Sequence, residues 1–372
     1  YNDTLEFNHA ILTHKIPFVS DKNKNVPHML SMIIDKIVAT SQSDRYKDIR
    51  SVFIDLMKLQ HAFNKKQFPD FKLDTFQNIQ DLHTSEIIYG REKEEQKLQY
   101  HIDSMLNKEN KIILLQGKSG MGKSSLMNKV IDKNKNKFSD ICKFKLDSGE
   151  QSTPYQILYT ALSTMVREVI SQDEETLKRY RNTLLNILGE QASSLTAVIP
   201  EIHLILGQVS TGIDMENEEK KVNLDNLLVR FMQIFMDEEK PLCIFVDDIQ
   251  WADAVTLQWI KSVILNLENV IVFMAYRNDE SEISDDPLFS TMLHELISVD
   301  QKINEMTILP LGADHIETLI RDNVPLVEAK EVAYIIFERT EGNPFFVKEY
   351  LKQLYKDEAI WFDMKSLEWK CD

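Results

Sequence analysis

The stretch "KIILLQGKSGMGKSSLMNKV", residues 111–130, decides how the rest of the chain is read. An apolar run, Ile112 to Leu115, meets a loop of glycines and serines that passes at once into helical spacing. Gly117-x4-Gly122-Lys123-Ser124 fills every position of the phosphate-binding loop pattern, with the strand before it and the helix after it that the pattern requires. Glycines let backbone N–H groups converge on an anion with no Cβ in the way. A helix starting near Lys123 adds the positive end of its dipole. On this reading Gly117, Lys118, Ser119, Gly120, Met121, Gly122, Lys123, Ser124 and Ser125 cradle a nucleotide. Lys123 reaches its β- and γ-phosphates, and the Ser124 hydroxyl ligates Mg²⁺. The plain alternative is a Gly/Ser turn that matches the pattern by chance.

Such a site must hold its metal from a neighbouring strand as well, and "PLCIFVDD", residues 241–248, supplies one. Asp247 and Asp248 end an apolar run, at the strand end where ligands bind in open α/β sheets. Asp247 then orients Mg²⁺, directly or through water, so that Ser124 and Asp247 are the metal ligands. Asp248 is placed to polarise the attacking water. Arg277 closes the next apolar run, "VFMAYR", beside Asp247, and points towards the γ-phosphate as a sensor of its presence. The candidate catalytic set is therefore Lys123, Asp247, Asp248 and Arg277. Read plainly, the same residues are a solvated acidic turn and a surface arginine at a strand end.

Around these motifs the chain has three rhythms. Residues 1–65 read as helices, with Met29, Ile33 and Ile37 on one stripe and Ile49, Phe53 and Leu56 on another. Residues 66–86 contain a proline and little periodicity, and read as a linker with apolar anchors at Phe68, Phe71, Leu73 and Phe76. Residues 87–311 alternate apolar strands with helices, interrupted by an all-helical section at 173–236. That alternation predicts an α/β, P-loop NTPase fold: a parallel sheet covered by helices on both faces. Residues 312–372 read as a helical subdomain closed by a short hairpin in "AIWFDMKSLEWKC".

The bulk composition narrows the function classes. Of 372 residues, 43% are hydrophobic and 27% charged, which is a folded composition and not a disordered one. A formal charge of −16 argues against nucleic-acid binding by the whole chain. The Lys- and Asn-rich "NKVIDKNKNKF", residues 128–138, is the single local patch to consider, and reads more simply as a solvated helix end. Cys142, Cys243 and Cys371 have no metal-ligand spacing and read as free thiols of a reducing compartment, hence a cytoplasmic protein. No apolar run has the length of a membrane span. A chain that starts at Tyr1 and stops within an element at Asp372 reads as a piece of a longer protein.

Taken together, "YGRE" (89–92), "GKSGMGKSS" (117–125), "FVDDIQWAD" (245–253), "AYRND" (275–279), "LPL" (309–311) and "TEGNPFFVKEYLKQL" (340–354) resemble the AAA-like ATPase module of STAND signal-transduction proteins. More narrowly, the chain resembles proteins that fuse a serine/threonine protein kinase, this module, a GAF domain and a sensor histidine kinase. "VIPEIHLILGQ" (198–208) is typical of that group. Residues 6–56 resemble the last helices of a protein-kinase C-lobe, with "DRY" (44–46) matching the segment whose arginine braces the activation segment. The catalytic motifs of a kinase are missing, so this chain is not expected to phosphorylate protein by itself. A generic helical cap on the ATPase is the other reading of residues 1–65.

The resemblance also implies that Tyr89, Gly90 and Arg91 lie by the adenine and ribose, and that Pro344, in the helical subdomain, closes over the base. A helix N-terminus with proline at an early position explains Pro344 as well. "KFKLDSGEQ" (143–151) departs from the Phe-Asp-Gln expected after the second strand of the kinase-fused relatives.

Three functions follow as expectations. The leading one is a slow ATPase acting as a switch, with Mg²⁺-ATP held between the P-loop domain and the helical subdomain and its state relayed to flanking signalling domains. The second is a nucleotide-binding interaction module that never turns over. The third, an origin-binding or transcription-regulatory ATPase, sits poorly with the acidic charge. Relatives of this class often self-associate, although no arginine finger acting in trans is visible.

Overall fold

A computed structural model describes residues 19–39, 41–46, 48–65, 70–71, 73–74, 87–105, 109–146, 156–191, 195–196, 199–206, 226–278, 287–299, 301–324, 326–363, 366 and 368–372. The anchors Phe68 and Phe76, the end of "KFKLDSGEQ" and residues 207–225 of the helical section lie outside them. The chain divides into two compact units, 91–309 and a second assembled from 1–90 and 310–372.

After a single helical turn at Val19–Lys22 come helices α1 (His28–Ile37) and α2 (Ile49–Asn64). Met29, Ile33 and Leu59 form a small core, with Tyr46 and two of the expected linker anchors, Phe71 and Leu73, packed against it. The stripe expected on α2 is wrong. Ile49 is 78% and Phe53 48% exposed, whereas Ser51, Ile54, Asp55 and Leu59 are buried; at the end of α1, Ile37 is exposed too. A carboxylate sets the face. Asp55 accepts hydrogen bonds from the Tyr46 hydroxyl (2.9 Å), the Asp74 backbone N–H (2.7 Å) and Lys58 Nζ (3.2 Å). A buried carboxylate with these partners outweighs the apolar stripe, because leaving it unpaired is costly. Burial and the Asp55 carboxylate hold the Tyr46 phenol well above its usual pKa. Arg45, of "DRY", donates from Nε to the Ala39 carbonyl at 2.6 Å.

The unit 91–309 carries a five-stranded sheet. In chain order its longer elements are α3 (Glu92–Asp103), β1 (Lys111–Gln116), α4 (Lys123–Lys133), β2 (Ile141–Lys145), α5 (Gln156–Ile170), α6 (Glu174–Leu188), β3 (Leu242–Asp247), α7 (Ala254–Asn266), β4 (Val270–Tyr276), α8 (Pro287–Ser298) and β5 (Ile303–Thr307), with a short helix, Ile202–Leu206, between α6 and β3. All pairings are parallel, in the order β2-β3-β4-β1-β5. Side chains alternate between two cores, as period-two geometry demands. Ile112, Leu114, Ile244, Val246, Val272 and Met274 face α5, α7 and α8; Ile113, Leu115, Cys243, Phe245, Ile271 and Phe273 face α3 and α4. Cys142 and Cys243 are buried, and burial raises both thiols.

The strand order corrects one expectation. β3 does not neighbour β1, because β4 lies between them. "VIVFMAY" of β4 is buried at every position, the signature of a central parallel strand. β2 alternates buried positions with exposed Lys143 and Lys145, and β5 carries Glu305; charged, interrupted strands take the edges. The strand ends of β1, β4 and β3 therefore line the carboxyl end of the sheet together.

The C-terminal part has α9 (Ala313–Asn323), α10 (Ala329–Thr340) and α11 (Pro344–Lys356), around Ile316, Ile320, Ile336, Val347 and Leu351. The expected hairpin is present, β6 (Ile360–Asp363) pairing antiparallel with β7 (Glu368–Cys371), and its Trp369 enters the same core. No helix among the described residues is long and apolar enough to cross a membrane.

Candidate functional site

At the carboxyl end of β1 the chain makes its glycine loop against β5. The Ile308 N–H bonds the Gln116 carbonyl at 2.7 Å, and a Cβ on Gly117 would meet the Ile308 carbonyl oxygen at 2.9 Å. Gly122 precedes α4 with φ 86°, a backbone state that side chains disfavour, and faces open space. The loop is thus bare backbone at the mouth of a helix. Lys123 is buried and folds back over it, donating from Nζ to the carbonyls of Gly117 (2.5 Å) and Lys118 (3.0 Å). An ammonium held by carbonyls at this point can be exchanged onto an anion.

Arg91 braces the loop from outside. Its guanidinium is buried and donates from Nη2 to the Met121 carbonyl at 3.1 Å. Burial lowers its pKa, opposed by Glu94 and Glu92. The contact shown for Arg91 is thus with the loop backbone.

Ser124, in the first turn of α4, donates from Oγ to Asp247 Oδ1 at 2.8 Å, joining the loop to the end of β3. Asp247 is pushed above the usual carboxylate range, chiefly by burial; the Ser124 bond opposes this, Asp248 adds to it, and Lys145 and Lys123 oppose it. A hydroxyl and a carboxylate oxygen at one point are the hard donors that Mg²⁺ takes. They fit the ion that the sequence implies.

Asp248 and Arg277 are found in each other's grip. Asp248 is buried, with a left-handed backbone (φ 58°, ψ 48°) as β3 turns into a short 3₁₀ turn, Ile249–Trp251. Arg277 forks onto it, Nε to Oδ1 at 2.6 Å and Nη2 to Oδ2 at 2.7 Å. Sequence reasoning missed Gln250. Its Nε2 reaches Asp248 Oδ1 at 3.4 Å, and its Oε1 accepts the Arg277 backbone N–H at 3.2 Å. No spacing rule marks Gln250; only its place inside "FVDDIQWAD" hinted at it. Asp253, in the same motif, caps α7 by accepting the Thr256 N–H at 2.7 Å.

Tyr89, Gly90 and Pro344 belong to the other unit. The Tyr89 hydroxyl accepts from Asn323 Nδ2 at 3.3 Å, and burial raises its pKa. Gly90 packs against His315, whose ring would lie 2.6 Å from a Cβ there. Pro344 is the first residue of α11, behind Asn343, whose side chain accepts the Phe345 N–H at 3.0 Å. The structure therefore gathers residues 117–125, Arg91, Asp247, Asp248 and Arg277 within one unit.

A bare-backbone loop at a helix start, a lysine over it, and a serine–aspartate link to another strand define the site of a P-loop NTPase. A family profile described as "AAA ATPase domain" matches residues 87–273, half of the chain. The chain belongs to the AAA ATPase domain family. A second profile, described as a domain of unknown function, matches residues 324–363. Among curated proteins, the chain is 26% identical to hybrid signal transduction histidine kinase G of Dictyostelium discoideum, over 99% of this chain and 13% of that protein. It is 19% identical to peroxide stress-activated histidine kinase mak3 of Schizosaccharomyces pombe, over 97% of this chain and 18% of that one. The chain thus spans less than a fifth of the length of either relative. Similar solved structures include Drosophila ORC bound to DNA (TM-score 0.43, 10% identity, covering 81% of this chain and 68% of that one). Another is the E. coli MS115-1 HORMA:CdnC:Trip13 complex (TM-score 0.39, 11% identity, 78% and 86%).

Proposed function

We propose that the chain is an ATP-binding, slowly ATP-hydrolysing switch, a STAND-type module within a multidomain signalling kinase. The observation that carries this is the Ser124–Asp247 hydrogen bond, which sets both expected metal ligands at the mouth of the phosphate loop. Lys123 leaves the Gly117 and Lys118 carbonyls for the β- and γ-phosphates, while the N–H groups of residues 117–125 surround them. Ser124 and Asp247 hold Mg²⁺, which supplies positive charge at the phosphate oxygens. Asp248 orients and deprotonates the attacking water, and Arg277 senses the γ-phosphate. Tyr89, Gly90, Arg91 and Pro344 are assigned to the base side of the nucleotide on the resemblance alone.

The proposed organisation is a kinase C-lobe end at 1–65, a linker at 66–86, the ATPase domain at 87–311 and a helical subdomain at 312–372. The histidine kinase relatives support flanking signalling domains as the recipients of the nucleotide state. Buried free thiols in β2 and β3 suit a reducing, cytoplasmic setting.

One observation favours the second reading, a module that binds nucleotide without turning it over: Arg277 occupies both oxygens of Asp248. Equilibrium titration of Mg²⁺-ATP into the purified chain tests the binding step that both readings share. Lys123→Ala is expected to weaken affinity by about 100-fold or more, the loss of a charged hydrogen bond to phosphate. Equal affinity in wild type and Lys123→Ala would overturn the assignment.

A further inference from the structure

The Asp248–Arg277 pair has a consequence that neither residue has alone. Asp248 is buried, and its two oxygens receive the two prongs of one guanidinium at 2.6 and 2.7 Å. A carboxylate so engaged has one lone pair of each oxygen taken and its charge neutralised, which weakens it as a base, and the guanidinium has its Nε–Nη2 edge committed to the carboxylate. Asp248 also stands in a left-handed backbone conformation, so the turn fixes the direction of its Cα–Cβ bond. The side-chain amide of Gln250 is attached to both partners, by Nε2 to Asp248 and by Oε1 to the Arg277 backbone N–H. Neither Gln250 contact uses the Arg277 side chain, so a movement of that side chain breaks neither of them directly.

We propose that Arg277 is a latch on Asp248 which the γ-phosphate releases, and that Gln250 is the positioning residue that keeps Asp248 aimed once the latch is open. The inference rests on the ATPase reading above and adds its regulation. The γ-phosphate is the only part of the ligand that distinguishes ATP from ADP, and as a polyanion it competes with Asp248 for the same guanidinium. Sensing the triphosphate and unmasking the base are then one event. Without nucleotide, or with ADP, the latch stays shut. The slow turnover follows, since each cycle must break a part-buried ion pair before water can be activated.

A double-mutant cycle on the full 372-residue chain tests this, with Asp248→Asn, Arg277→Gln and the double variant. Thermal midpoints are read without nucleotide, with Mg²⁺-ADP, and with Mg²⁺ and a non-hydrolysable β,γ-imido ATP analogue, whose binding is measured separately. Without nucleotide and with ADP, the shifts are expected to be non-additive by about 3 °C or more, because removing either partner strands the other. With the triphosphate analogue bound, the shifts are expected to add. Gln250→Ala is expected to lower kcat about ten-fold with KM unchanged, whereas a merely structural glutamine would lower the midpoint without that split. Non-additivity that persists with the analogue bound, or that is absent without nucleotide, overturns the latch while leaving ATP binding intact. Failure of the wild-type chain to bind the analogue overturns the nucleotide reading and the latch with it.

Discussion

Asp247 is a carboxylate whose burial opposes its charge. Burial raises its pKa, so folding disfavours the ionised form that a metal needs, relative to the unfolded chain. Worked through, its contribution to stability is full below the usual carboxylate pKa and is lost as pH rises through the raised folded value. Asp247→Asn keeps an oxygen to accept from Ser124 and removes the charge. It is expected to raise the thermal midpoint of the ligand-free chain at pH 7.5 by about 2 °C while abolishing the Mg²⁺ dependence of nucleotide binding. Scanning calorimetry beside a titration with and without EDTA reads both, and a lowered midpoint would count against the account. The residues legible in the sequence here, Lys123, Ser124 and Asp247, belong to patterns whose spacing along the chain encodes their chemistry. Gln250 and the grip of Arg277 on Asp248 were not legible, because they depend on how far β4 lies from the turn after β3.

The elements read well wherever hydrophobic pattern alone decides them, and less well where a polar group decides. β3 and β4 were plain as buried strands, but their order relative to β1 is not carried by sequence order. In retrospect the charges on β2 and β5 mark the edges. On α2 the apolar stripe pointed to the wrong face, since Asp55 and its three partners fix the orientation. A partly buried acid gives an element-scale expectation. Asp140, which leads into β2 and accepts the Ile141 N–H at 2.7 Å, is raised from 3.8 to about 6, mainly by burial, with Glu168 adding to it. Its stabilising effect is present at acid pH and lost as pH rises through about 6. Asp140→Asn should therefore leave stability nearly unchanged at about pH 3, below the ordinary carboxylate pKa, and raise it by about 3 kcal/mol at about pH 8. Denaturant melts at the two pH values check this; an equal change at both would contradict it.

At the scale of the molecule, an acidic chain with a net charge of −16 has its P-loop made by bare backbone and a helix start instead of a basic surface. The parallel fold and the AAA ATPase family were legible because the loop, the acidic strand end and the strand–helix rhythm reinforce one another. The helical parts at either end were legible as helices only, since their role depends on what they join. The central claim is that this site hydrolyses ATP and uses Asp248 to do so. Steady-state phosphate release by the purified chain at saturating Mg²⁺-ATP tests it most directly, with Lys123→Ala and Asp248→Asn beside the wild type. A slow wild-type rate, on the order of one turnover per minute, that falls to background in both variants is the expected result. A wild-type rate no higher than that of Lys123→Ala would contradict it.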